Sequence, residues 1–233
     1  MSAPTAVSES MASIVPTLLA GDMARLGETL EAVEAMGIPT IHIDVTDGHF
    51  RPQISVGQPV VRSIHRAARL KLDVHLMVEC PERYFEDFVK SGADSLTFHF
   101  EATPNVVLAI NSARKLGTRV GLALNPAMRV ETCYEVLEYI DTLLIETGSE
   151  SFLPRSIGRV AALVKERGDS GLNFAVAAEG DIGVREAEDL LAAGADILVV
   201  GRAIFDKGEG GAALRALART VNTAGQESRF PVQ

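Results

Sequence analysis

The chain has 233 residues, 47% of them hydrophobic and 23% charged, and 22 basic against 31 acidic side chains give a net charge of -9. That length excludes a small module stapled by disulfides or metal and fits one large domain or two small ones. The acidic balance excludes the broad positive field that attracts nucleic-acid backbones, and no run reaches the roughly 18 apolar residues that a membrane helix needs.

Two cysteines, Cys80 and Cys133, lack metal-like spacing. They point to a reducing, cytoplasmic setting without a disulfide framework. Residues 1–10 are polar, with neither a basic leader nor a long apolar run, and do not read as a signal peptide. Loose tails are expected at 1–12 and 223–233, around a single domain over 13–222.

The first apolar run, 13–19, is followed by Asp22 as a helix cap and by Met23, Leu26, Leu30 and Val33 at helical spacing. Further runs rich in Val, Ile and Leu occupy 40–45, 71–77, 95–100, 119–124, 142–145, 174–178 and 197–200. Several are apolar without alternation, as strands buried on both faces are. Helical spacing begins near Pro81, Pro104, Val130, Phe152, Val184 and Gly211, and more weakly over 59–68. Gly37, Gly92, Gly117 and Gly194 each suit the left-handed residue that closes a helix. Eight such units, averaging about 29 residues, predict an α/β fold of the (β/α)8 barrel type. The alternative, an open doubly wound sheet, lacks its glycine-rich turn: Pro16-Thr17-Leu18-Leu19-Ala20-Gly21 has one glycine.

In such a barrel the chemistry sits at the C-terminal ends of the strands. His42 and Asp44 lie two apart, on one face of a strand, and that face is the barrel interior if Ile41, Ile43 and Val45 meet the helices. The third strand adds Asp73 and His75, the fourth ends His99-Phe100-Glu101, and the seventh ends Glu179-Gly180-Asp181. Two imidazoles and one or two carboxylates converging on a mouth make a divalent-metal site. His99 taken alone reads as a hydrogen-bonded interior residue. His65 falls in a helical stretch and reads as solvated, and His49 faces either mouth or solvent.

Pro16-Thr17-Leu18-Leu19, the block from His42 to Phe50, Asp73-Val74-His75-Leu76-Met77, His99-Phe100-Glu101-Ala102-Thr103, Leu124-Asn125-Pro126 and Gly201-Arg202-Ala203-Ile204-Phe205 closely resemble the ribulose-phosphate 3-epimerase family over roughly 13–206. The resemblance implies a ribulose-phosphate binding barrel that acts as an isomerase on a small sugar or sugar phosphate. It implies one divalent cation (Zn, Mn, Fe or Co) held by His42, Asp44, His75 and Glu179. Asp44 and Glu179 become the proton-transfer pair on opposite faces of the sugar. Thr17, usually a serine, comes near the substrate hydroxyls, and His75, Met77, Gly180, Gly201 and Arg202 contact substrate. A homo-oligomer is implied as well. The chemistry is consistent: removing a proton next to a ketone leaves an enediolate, a cation stabilises that charge, and two carboxylates serve the two faces.

Three departures from the family pattern stand out. The seventh strand carries Glu179-Gly180-Asp181 in place of Asp-Gly-Gly, which moves the carboxylate outward when catalytic geometry tolerates only about 0.5 Å. The segment 146–151 replaces a longer loop that lends amides to phosphate, and Glu146, Glu150 and Asp181 are expected to repel a dianion. Two methionine positions are Thr46 and Glu146, the third being Met77. Arg202, where the family commonly has serine, either holds an anion or pairs with Glu146 or Asp181. A related decarboxylase is disfavoured, because His75 stands where a lysine is needed. A non-catalytic binding protein on this scaffold, or a substrate without phosphate, remains the alternative.

Overall fold

Runs rich in Val, Ile and Leu form parallel strands where both faces are covered. In the computed structural model, which describes residues 12–148 and 150–225, these are β1 (Ser13–Pro16), β2 (Thr40–Thr46), β3 (Lys71–Met77), β4 (Ser95–His99), β5 (Arg119–Leu124), β6 (Thr142–Glu146), β7 (Ala175–Gly180) and β8 (Ile197–Val200). All pair in parallel in the order β1-β8-β7-β6-β5-β4-β3-β2. A parallel bridge between Thr17 and His42 joins the continuation of β1 to β2 and closes the circle. The (β/α)8 barrel expected from the sequence is the fold the chain adopts.

Alternation along each strand sorts the side chains. Ile41, Ile43 and Val45 of β2 and Leu72, Val74 and Leu76 of β3 point outward into the main core under the helices. Ala123, Leu144, Ala177 and Val199, from β5 to β8, form a separate small cluster. On β2 to β4 the alternate positions carry His42, Asp44, His75, Thr97 and His99, all buried. An apolar half of the barrel interior thus supports a polar half.

The helices are α1 (Leu26–Ala35), α2 (Gln58–Ala67), α3 (Phe85–Lys90), α4 (Val106–Arg114), α5 (Arg155–Asp169), α6 (Val184–Ala192), α7 (Arg202–Phe205) and α8 (Glu209–Gly225). Asp22 caps a short 3-10 turn, its side chain accepting from the Ala24 N–H at 3.0 Å. Asn105, rather than Pro104, sets the start of α4 by accepting from Leu108 N–H. Gly37 and Gly194 take left-handed φ of 74° and 95° after their helices.

Val130–Tyr139 is a 3-10 helix. Val130, Cys133 and Val136 are buried at a spacing of three, which suits three residues per turn. The last helix continues through Gly225, so a tail from 223 begins too early, and residues 1–11 and 226–233 lie outside the described residues. Among the described residues no helix is long and apolar enough to cross a membrane, and both cysteines are free.

Candidate active site

Four of the eight buried side-chain atoms that lack a hydrogen-bond partner among the described residues are His42 Nε2, Asp44 Oδ1, His75 Nδ1 and Glu179 Oε2. They come from β2, β3 and β7, and they face one another. His42 Nε2 lies 3.3 Å from Asp44 Oδ1 and 3.5 Å from Glu179 Oε2. His75 Nδ1 lies 3.4 Å from Asp44 Oδ1 and 3.0 Å from Glu179 Oε2. Unpaired buried polar atoms are costly, and four aimed at one point call for a shared partner. A tetrahedral shell with bonds of about 2.0–2.1 Å separates neighbouring ligand atoms by about 3.3–3.4 Å. The spacing and the N/O donor set both fit a divalent cation.

The other ring nitrogens and oxygens are held from behind. His42 Nδ1 meets Asp73 Oδ2 at 2.7 Å, and Asp73 Oδ1 accepts from Ser95 Oγ at 2.5 Å. His75 Nε2 meets His99 Nε2 at 3.0 Å, and His99 Nδ1 meets Glu101 Oε1 at 3.1 Å. The Thr17 hydroxyl donates to Asp44 Oδ2. Such partners fix ring orientation and choose which nitrogen is free.

The electrostatics follow from this crowding. Burial alone lowers an imidazole pKa, but the charge of Glu179 and the carboxylate of Asp44 outweigh it and raise His75 to about 9. His42 is likewise raised well above its ordinary value, against burial, by Glu179, Asp44 and Asp73. Asp44 is pushed up by burial yet held well below the usual carboxylate range by His42 and His75.

Asp44 and Glu179 open onto a pocket of about 180 Å³, small enough to admit a short polyol but no polymer. Thr46, Met77, Gly180 and Leu19 line it too. Gly180 follows Glu179 with φ 148°, and a Cβ there would stand 2.4 Å from the Gly148 carbonyl and the Thr147 hydroxyl. The same loop is stitched to β7 by Thr147 N–H donating to Glu179 O at 2.7 Å and by Asp181 N–H donating to Gly148 O at 3.0 Å. Glu179 is therefore held by its backbone as well as by its role in the cluster.

The structure brings His42, Asp44, His75, Glu179, Thr17, Met77 and Gly180 together. It leaves Gly201 and Arg202 outside the pocket lining. A Cβ on Gly201 would lie 3.8 Å from Thr17 Cγ2, and Arg202 is exposed at the start of α7. His99 is a hydrogen-bonded interior residue, and His49 and His65 are exposed.

Two expectations of charge need correction. Glu146 does not pair with Arg202. It is buried in the pocket wall, bonded to Arg51 Nη2, with His99 Nε2 at 3.5 Å. Burial raises its pKa, but His99 and Arg51 outweigh that and lower it. Its charge is thus balanced rather than free to repel an anion. Glu150 and Asp181 are exposed. Arg51 was not singled out from sequence. It sits two residues past His49 in the turn after β2, and its place directly after the most distinctive block was the available signal.

The Ribulose-phosphate 3 epimerase family matches residues 13–205. The ribulose-phosphate 3-epimerase of Treponema pallidum is 38% identical over 198 residues, covering 83% of this chain and 91% of that protein. That of Bacillus subtilis is 36% identical, covering 85% and 94%. Among solved structures, 3-hexulose-6-phosphate synthase from Salmonella typhimurium has a TM-score of 0.64 at 16% identity, covering 92% of this chain and all of that one. Phosphoribosyl anthranilate isomerase from Thermococcus kodakaraensis has a TM-score of 0.64 at 16% identity, covering 91% and 98%. These two share the fold alone. The match over nearly the whole barrel shows that the chain belongs to the ribulose-phosphate 3-epimerase family of isomerases.

Proposed function

We propose that the chain interconverts D-ribulose 5-phosphate and D-xylulose 5-phosphate by epimerisation at C3, with one divalent cation. The observation that carries the reading is the convergence of Asp44, Glu179 and two imidazoles, each with one unpartnered buried atom, at the floor of a small pocket. His42, Asp44, His75 and Glu179 would hold the cation, and the donor set suits Zn, Mn, Fe or Co. When bound, it supplies electrophilic stabilisation of the negative charge that develops beside the carbonyl.

The rest falls to side chains. Asp44, which the charge of a bound cation would keep ionised, takes the C3 proton from one face, and Glu179 returns a proton to the other. The Thr17 hydroxyl fixes the second Asp44 oxygen and so aims the first. His75, Met77 and Gly180 border the substrate, and its phosphate lies toward Gly201 and Arg202, on the side of the seventh and eighth strands. The partner is this small sugar phosphate, with no nucleic acid or membrane, in a cytoplasmic homo-oligomer.

The test is proton exchange. Metal-loaded protein in deuterium oxide should label C3 of D-ribulose 5-phosphate and form D-xylulose 5-phosphate. Asp44→Asn and Glu179→Gln should each slow labelling by about 10²–10⁴-fold, with cation content measured alongside. A variant that keeps its cation and its full exchange rate removes that residue from the mechanism. No labelling by the parent protein of either D-ribulose 5-phosphate or D-ribulose overturns the reading.

A further inference from the structure

One charged pair in the pocket is left unused by proton transfer. Glu146 ends β6, where it faces Glu179 across the β6–β7 ladder. Its contacts to Arg51 and His99 both fall on Oε1. Arg51 lies on a tightly tied turn. The Asp47 carboxylate accepts from the backbone N–H groups of His49 at 2.8 Å, Phe50 at 2.9 Å and Glu79 at 2.9 Å. Ser55 Oγ donates to Asp44 O and accepts from Thr46 N–H, each at 2.9 Å. The Phe50 ring rests on His99 with centroids 4.7 Å apart. The guanidinium is held before any ligand arrives, so little freedom remains to be lost on binding. Stability alone is a poor account of such a half-buried pair, because the cost of desolvating the charges offsets much of their attraction.

We propose that Arg51 and Glu146 determine substrate specificity by reading the C1 hydroxymethyl group of the ketose. Arg51 donates to the hydroxyl oxygen and Glu146 accepts the hydroxyl proton. This rests on the epimerase reading, which sets C3 between Asp44 and Glu179. Phosphate in barrels of this kind sits on the loops after strands 7 and 8. The contacts of Glu146 to His99 on β4 and to Arg51 after β2 draw its carboxylate to the other side of the mouth. A substrate lying with its phosphate toward β8 therefore brings C1 to the pair. A pocket built to hydrogen-bond a hydroxyl rejects the analogue that lacks it, because its own polar groups are then left unpaired.

D-xylulose 5-phosphate and 1-deoxy-D-xylulose 5-phosphate differ only in that hydroxyl. Calorimetric titration of metal-loaded protein should show the first binding about 10–100-fold more tightly, the range expected for a charged hydrogen bond. Arg51→Met combined with Glu146→Met should weaken D-xylulose 5-phosphate alone and bring the ratio near one, with cation content unchanged. Arg51→Gln, a single change on the partly exposed turn, gives the same reading should the double variant not fold. Equal affinity of the parent protein for both sugars, or equal weakening of both in the variants, overturns the proposal. Turnover followed in the same samples separates the two claims. Discrimination without epimerisation fails the epimerase reading and leaves the pair standing, epimerisation without discrimination fails the pair, and binding of neither sugar overturns both.

Discussion

Glu179 reaches the shared point with one methylene more than the aspartate the family pattern leads one to expect, and Oε2 still comes within 3.0 Å of His75 Nδ1 and 3.5 Å of His42 Nε2. The backbone that carries it is held by the Thr147 bonds and by Gly180, whose neighbours leave no room for a side chain. Glu179→Asp should then retract the carboxylate by more than catalytic tolerance and lower kcat about a hundredfold, with weaker cation binding. Steady-state kinetics with metal analysis checks this, and a rise in kcat on restoring the aspartate would show that the site is fitted to the shorter residue. His42, Asp44 and His75 were legible in the sequence because two-residue spacing fixes which face they share. The Arg51–Glu146 pair was not, because its members come from a turn and a strand end 95 positions apart, and only the closed barrel sets them side by side.

Strands were legible because burial on both faces leaves an apolar run of the right length, and β3, β5 and β8 have the bounds read from sequence. Helix starts shifted where a capping side chain sets the boundary, as at Asn105, whereas the helix from Val130 starts where the spacing places it but is of the 3-10 type, a spacing of three resembling the α-helical one over two turns. The connection after β8 carries the phosphate question. Arg202 opens the four-residue α7 and is exposed, so solvent and salt weaken any anion contact it makes. Arg202→Ala should accordingly raise KM for D-ribulose 5-phosphate by about tenfold while leaving KM for D-ribulose unchanged. Parallel kinetics on the two sugars decides it, and an equal response by both would assign Arg202 to the support of α7 instead.

At the scale of the whole molecule, a cation held by the cluster would link its own binding to protons and stability. Imidazoles bind a cation only when neutral. In chelator-treated protein the neighbouring carboxylates raise His42 and His75, the latter to about 9. Because these folded-state values lie above the unfolded value of about 6.5, the stabilisation is full below that pH and is lost as pH rises through about 9. Asp44 works in the opposite sense: its lowered pKa gives stability above the usual carboxylate range that is lost as pH falls through its own value. The cation competes with the imidazole protons, so its affinity should rise across the window in which the chelated protein weakens. Zn or Mn at about a hundredfold excess over Kd contributes about 2.7 kcal/mol, or roughly 5–10 °C in Tm for a domain of this size. The Tm gain should be larger at pH 9 than at pH 6.5, and titration near pH 7.5 should release about one to two protons per cation bound. Calorimetry in two buffers of different ionisation enthalpy measures that number. Release of none would show that both imidazoles are already neutral, and that the carboxylates hold the cluster together without charging its histidines.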